Sequence, residues 1–188
     1  EQREQEHAER AHIDGENAGD LSGIVSTNSD GSVVAIGATG NDLVAQDAGQ
    51  VRVFELIGND WVQRGDSFYG EVAGAGLGES VALNGVGDVL AIGAPGAGEL
   101  GDQHGHAIIY AWDGASWSQK GTKILGSAAG DQNGWHLDLD DQGDTLIVSA
   151  IYQDLFASTE SATSDSADAT TATGSSDSGT SSDEESNS

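Results

Sequence analysis

The chain repeats itself with a period of 56 residues, so that Gly37 recurs as Gly93 and Gly31 recurs as Gly87 and Gly143. The same period relates further glycines and a Trp-x-Gln-x-Gly element: Gly49 and Gly105, Gly58 and Gly114, Trp61 and Trp117, Gly65 and Gly121, Gly70 and Gly126. A fixed period of this kind is typical of repeat proteins, in which each unit buries its apolar face against the next. The repeat therefore indicates a protein that presents a binding surface.

Each unit contains two pairs of strand signals. Hairpins are predicted at residues 24–37, 80–93 and 135–150, each with a glycine in the turn. The second arm of each hairpin is almost continuously apolar (VVAIG, VLAIG, TLIVS), as in a strand that is covered on both faces. A second pair of strands is predicted at residues 50–64 and 106–120. Four antiparallel strands per unit match the content of a propeller blade.

The predicted fold class is all-β, a partial β-propeller of about two and a half four-stranded antiparallel blades with disordered termini. The repeats span residues 20–157: a first unit (21–76), a second unit (77–132) and a partial third unit (133–157). Residues 1–19 form a polar N-terminal extension, and the acidic, Ser/Thr-rich residues 158–188 are expected to be disordered. Because propellers close with roughly four to eight blades, we expect open strand edges unless further blades, a partner or self-association covers them.

The acidity of the chain restricts its partners. The net charge is −26, from 6 basic and 32 acidic side chains. Such a surface repels nucleic acids and anionic lipid headgroups and favours cations and basic partners. There is no apolar run long enough for a membrane span, so direct membrane insertion is not expected. With no cysteine, disulfide and thiolate chemistry are excluded.

One stretch, Leu77–Pro95 (LGESVALNGVGDVLAIGAP), resembles the FG-GAP repeat of integrin α-subunit N-terminal propellers. Leu77-Gly78 stands for the opening Phe-Gly, and Gly93-Ala94-Pro95 matches the closing Gly-Ala-Pro. The resemblance covers about residues 20–151, although the other copies depart from the closing motif. It implies a seven-bladed parent and a role in adhesion or extracellular recognition, and hence an extracellular or cell-surface location. Kelch repeats, the nearest competitor, require a paired-glycine signature that is missing.

The resemblance also implies Ca²⁺ loops of the D-x-D-x-D-G-x-x-D kind in some blades. Only the third turn comes near this pattern, with Asp138, Asp140 and Asp144 as candidate metal ligands. Asp141 and Gln142 offer further oxygens, but the ninth position is Leu146. A plain β-hairpin with an acidic turn is the competing interpretation, and both stay open.

Other residues with binding or catalytic chemistry have simpler interpretations. His104 and His106 could chelate a transition metal, but only Asp102 could add a ligand, so exposed loop histidines are favoured. Trp61 and Trp117 are expected to fill the same gap between blades, and Trp112 and Trp135 to pack locally. No nucleophile elbow, phosphate-binding loop or cysteine nucleophile is present, so no enzyme activity and no organic cofactor are predicted.

The predicted function is therefore recognition, in which inter-blade loops on a rigid β scaffold bind a protein or glycan partner. The equivalent polar loops Gly40–Gly49 and Gly96–Gly105 are expected to share one rim and to form the contact surface. Two alternatives stay open. The protein could be a structural surface or matrix component that self-associates through open blade edges, or a propeller appended to an enzyme encoded elsewhere.

Overall fold

The computed structural model describes residues 12–98, 102–151 and 169–173, and this part of the chain is built from β-strands joined by turns and loops. The all-β prediction is confirmed. The strands are β1 (Ser22–Thr27), β2 (Val33–Ala38), β3 (Gln50–Ile57), β4 (Asp60–Gln63), β5 (Phe68–Tyr69), β6 (Ser80–Leu83), β7 (Val89–Ala94), β8 (His106–Trp112), β9 (Trp117–Gln119), β10 (Ile124–Leu125), β11 (His136–Leu139), β12 (Thr145–Ser149) and β13 (Ala169–Thr173).

The first two units form sheets of the same design. In the first unit, β1, β2 and β3 pair in order, and β4 and β5 both pair with β3. In the second, β6, β7 and β8 pair in order, and β9 and β10 both pair with β8. The fourth strand is split because Gly65 and Gly121 adopt positive φ between its halves. Each unit is thus an antiparallel meander with a broken outer strand.

The three hairpin turns are closed by the same side-chain device. The Oδ1 atoms of Asn28 and Asn84 accept the backbone N–H of the residue five positions later, at 2.9 Å in both cases. In the third unit the Oδ1 atom of Asp140 does the same for Thr145, also at 2.9 Å. Short Asn and Asp side chains favour such turns because they satisfy backbone donors locally.

The repeated glycines allow successive units to approach at the backbone. A Cβ atom at Gly37 would collide with the carbonyl oxygen of Gly78, and one at Gly93 would collide with that of Gly134. Bridges between parallel segments join Gly49 to Leu77 and Gly105 to Asn133, so the same seam occurs at both junctions. The 56-residue period of glycine is therefore a requirement of inter-unit packing.

The apolar core lies on the middle strands of the sheets. Strand β7 is buried along its whole length, with Leu90 and Ile92 among the largest enclosed side chains. The prediction of two covered faces fails for β12. There Leu146 and Val148 are buried, but Ile147 is 47% exposed because no further sheet packs on it among the described residues.

The C-terminal segment contributes one described strand. Residues 158–188 are predicted to be disordered from their composition, yet Ala169–Thr173 pair with β12 along five residues. Strand β13 occupies the place on β12 that β3 has on β2. The rest of that segment and residues 1–11 lie outside the described residues.

Candidate functional site

A cleft of about 670 Å³ lies between the first and second units. One wall is residues 69–72 of the connector (residues 69–76), which links the two units. The opposite walls are the loop before β8, strand β8 and the link between β9 and β10. We call this the inter-unit cleft, and its polar lining is Tyr69, Glu71, Asp102, His104, His106, Tyr110, Thr122 and Lys123.

The floor of the cleft is apolar and carries no charge at neutral pH. Leu77, Ala94 and Ile108 form part of it. Burial lowers the pKa of His106 to about 4, assisted by the positive charge of Lys123 and opposed by the charge of Glu71. His106 is therefore a neutral imidazole over most of the physiological pH range.

An ion pair crosses the mouth of the cleft. The Nζ atom of Lys123 lies 2.7 Å from Oε2 of Glu71, which belongs to the connector. The hydrogen bond from Lys123 lowers the pKa of Glu71, against partial burial and with help from the charge of Lys123 and, at acid pH where it is protonated, of His106. Burial and the charge of Glu71 raise the pKa of Tyr110.

A second acid–imidazole pair lies at the rim. Nδ1 of His104 is 2.8 Å from Oδ1 of Asp102, and this contact lowers the pKa of Asp102. The two histidines that sequence analysis treated as exposed loop residues thus differ. His104 is partly exposed beside Asp102, whereas His106 begins β8 and is half-buried in the cleft. Among the described residues, no three His, Asp or Glu side chains are placed to hold a metal ion together.

The candidate Ca²⁺ ligands lie at the third hairpin, away from the cleft lining. Asp138 lies on β11 opposite Ile147. The carboxylate of Asp140 accepts the N–H groups of Asp144 and Thr145, and these backbone hydrogen bonds lower its pKa. Asp140 does here what Asn28 and Asn84 do in the other units. The segment has hairpin geometry, and Ca²⁺ binding by Asp138, Asp140 and Asp144 stays a prediction.

The tryptophans of the second unit pack at the junction, as predicted for Trp117. Its ring centroid lies 5.3 Å from that of Trp112, and its Nε1 donates to the carbonyl of Arg64 in the first unit at 2.8 Å. The guanidinium of Arg64 lies 4.9 Å from the centroid of Trp112. Trp117 also meets Phe68 edge-on, so these residues tie β9 to the first unit.

The two predicted contact loops are closed in the same way. The N–H of Gly49 donates to the carbonyl of Asn41, and that of Gly105 donates to the carbonyl of Ala97. The first loop holds Leu43 and Val44 exposed to solvent. The second loop contributes Ala97, Gly98, Asp102, His104 and Gly105 to the cleft lining, and its residues 99–101 lie outside the described part of the chain.

The lining of the cleft changes between units, although the scaffold does not. Residues 50, 52 and 54 of β3 correspond to residues 106, 108 and 110 of β8. The first unit has Gln50, Arg52 and Phe54, where the second has His106, Ile108 and Tyr110. Sequence analysis missed this difference, because it followed the residues that recur. The signal was present at positions where the period is kept but the residue type changes.

A comparison with protein-family models finds no match for this chain, and a comparison with curated proteins finds no relative. In the described part of the chain, no helix could span a membrane.

Proposed function

We propose that this protein is a non-catalytic recognition module, an FG-GAP-like partial propeller that binds a protein or glycan partner in the inter-unit cleft and on the adjoining loops. One observation carries the proposal. The seam glycines recur in each unit, whereas Arg52 of the first unit and the cleft residue Ile108 of the second stand at equivalent positions and differ in charge, shape and hydrogen bonding. Side chains that vary on a fixed scaffold, beside a concave apolar floor, are typical of a binding site.

The ionisable groups of the cleft favour binding over catalysis. Glu71 is paired with Lys123, and Asp102 with His104. A general base works best with a pKa near the working pH, and His106, at about 4, is a weak base under neutral conditions. The net charge of −26 adds long-range attraction for a basic partner. The extracellular or cell-surface location that we propose is carried by the FG-GAP-like repeat alone.

The test transfers the lining of the first unit into the second. The double variant His106→Gln, Ile108→Arg installs residues that the same fold already tolerates at Gln50 and Arg52. Wild type and variant are screened against a glycan array and a displayed peptide library. We expect the screen to find ligands that bind wild type and do not bind the double variant. The control Ile57→Thr changes an exposed residue at the end of β3 and should still bind these ligands. Equal binding by all three proteins would refute the cleft as the recognition site.

Self-association is a second candidate function, favoured by a face of β1 in the first unit that the described residues leave exposed. Val25 is 62% exposed, whereas its equivalent Val81 is 8% exposed against the preceding unit. A Cβ atom at the turn glycine Gly87 would touch Val33, whereas one at Gly31 would meet no described residue within 4 Å. Light scattering over a concentration series tests this idea, with Val25→Lys as the variant. A monomer at every concentration counts against assembly through this face.

A further inference from the structure

The first unit shows what the second unit's cleft could hold, because an arginine occupies the corresponding space. Nη2 of Arg52 donates to the carbonyl oxygen of Asp14 at 2.7 Å, and Nη1 lies 3.7 Å from Oε1 of Glu16. The guanidinium carbon lies 5.2 Å from the ring centroid of Phe54. Arg52 is only 7% exposed, so this is an enclosed guanidinium between a carboxylate and an aromatic face.

The carboxylate in this arrangement has a counterpart in the connector. Residues 19 and 21 have positive φ (100° and 54°), as do residues 74 and 76 of the connector (72° and 60°). The segment over the first unit therefore matches the connector with an offset of 55 residues. That offset pairs Gly15 with Gly70 and Glu16 with Glu71.

The second unit thus keeps two of the three groups and lacks the third. The carboxylate is present as Glu71, and the aromatic ring is present as Tyr110 in place of Phe54. The guanidinium is missing, because Ile108 stands where the first unit has Arg52. The space it would fill belongs to the cleft of about 670 Å³.

We propose, on the premise that the inter-unit cleft is the recognition site, that it binds the guanidinium group of an arginine side chain on a protein partner. The incoming group lies against Tyr110 and pairs with Glu71, as Arg52 does with Phe54 and Glu16. The volume of the cleft exceeds that of one arginine side chain, so residues beside the arginine contact the apolar floor at Leu77 and Ile108. The partner is therefore a peptide segment rather than free arginine.

Lys123 is the competitor for Glu71, and its position explains why the cleft stays open. It reaches Glu71 from the rim, whereas Arg52 lies across the face of its own sheet. A lysine ammonium is a strongly hydrated point charge, and a planar guanidinium can form two parallel hydrogen bonds to a carboxylate and stack on a ring. The arginine of the partner therefore displaces Lys123 from Glu71 or shares the Glu71 carboxylate with it. The neutral imidazole of His106 adds no repulsion.

Calorimetric titration with three hexapeptides tests the proposal. They are identical except for a central arginine, lysine or citrulline, the last being an uncharged analogue of arginine. We expect the arginine peptide to bind about tenfold more tightly than the lysine peptide, since only the guanidinium offers bidentate pairing. The citrulline peptide should show no heat, and acetyl-arginine amide should bind more weakly than the peptide.

Three variants separate the parts of the site. Glu71→Gln should weaken arginine binding, Lys123→Met should strengthen it by removing the competing cation, and Ile108→Arg should abolish it by filling the space from within. Glu71 is 73% exposed, so its variant should fold, and circular dichroism checks all three. Equal affinity for the arginine and lysine peptides, or no effect of Glu71→Gln, would overturn the proposal.

The library screen distinguishes this proposal from the recognition function on which it depends. The screen could instead select peptides or glycans that lack arginine and do not bind the His106→Gln, Ile108→Arg variant. That outcome would support the recognition function and refute the proposal of arginine binding. Enrichment of arginine peptides that require Glu71 would support both. Failure of the hexapeptides together with an unselective screen would refute both.

Discussion

The carboxylate of Glu71 lies 2.7 Å from the ammonium of Lys123, and this contact joins the connector to the link between β9 and β10 across the mouth of the cleft. The equivalent carboxylate, Glu16, instead meets Arg52 of the sheet itself. The cation that pairs with the glutamate is thus on the strand in the first unit and at the rim of the cleft in the second. This change leaves a cleft in the second unit and a filled space in the first.

The Glu71–Lys123 pair should contribute little to folding. Both partners are partly in water, and exposed ion pairs stabilise proteins by about 0–1 kcal/mol. We expect Lys123→Met to change the free energy of unfolding in urea by less than about 1 kcal/mol. The loss should not deepen in high salt. A larger loss would mean that the pair holds the two units together.

His106 should make stability depend on pH between about 6.5 and about 4. Its pKa is lower in the folded state, so the unfolded chain binds more protons in this window and stability falls as pH falls. The loss is full below about 4, and its size is on the order of 2–3 kcal/mol at most, because the side chain is only partly buried.

Urea unfolding across this pH range measures the effect. His106→Gln, which takes the residue type of the first unit, should flatten the part of the slope that His106 causes. Equal slopes in wild type and His106→Gln would contradict the lowered pKa.

Gly93→Ala should strongly destabilise the junction between the second and third units. The new methyl group would meet the carbonyl oxygen of Gly134, which is backbone and cannot rotate away. Overpacking of this kind costs about 1–3 kcal/mol or more. Gly23→Ala is the matched control on β1, where no described residue lies within 4 Å of the added carbon. Thermal unfolding compares the two, and similar losses would argue against a steric seam.

Arg52→Ile should release the segment that precedes β1. The guanidinium of Arg52 holds this segment by donating to the carbonyl of Asp14 and pairing with the carboxylate of Glu16. We expect faster hydrogen exchange and proteolysis over residues 12–17, with little change in β6–β8. Lys120→Met, which removes an exposed cation from the second unit, serves as the control. Unchanged protection of residues 12–17 would show that other contacts hold the segment.

Asp140→Asn should keep the third hairpin intact, because asparagine performs the same bonding at positions 28 and 84. Asp140→Ala should destabilise it, since the N–H groups of Asp144 and Thr145 lose their acceptor. Proton exchange at Thr145 reports the difference. A Ca²⁺ titration of wild type and Asp140→Asn checks the metal prediction, because binding by this loop would weaken in the variant.

The repeat made the strands and their hairpins predictable, since periodic glycines and apolar runs reflect constraints that every junction shares. The buried β7 and the packing of Trp117 followed from the same periodicity. The cleft did not. Its walls come from the connector, a loop and β8, so its residues are distant in sequence. The ion pair at its mouth also breaks the period, because Lys123 stands where the first unit has Ser67. Burial of β12 was overestimated, because Ile147 has no neighbouring sheet among the described residues.

Gly93 contacts the backbone of Gly134, and Gly37 contacts that of Gly78 in the same way. These glycines, through which the units pack, are therefore different from the residues that line the cleft. Mutations at these glycines disrupt the junction between units, whereas mutations at positions 106, 108 and 110 change the lining of the cleft that we propose as the recognition site. In a tandem array of copies of residues 77–132, each unit could therefore differ in specificity through three side chains, while all units would pack through the same glycine contact.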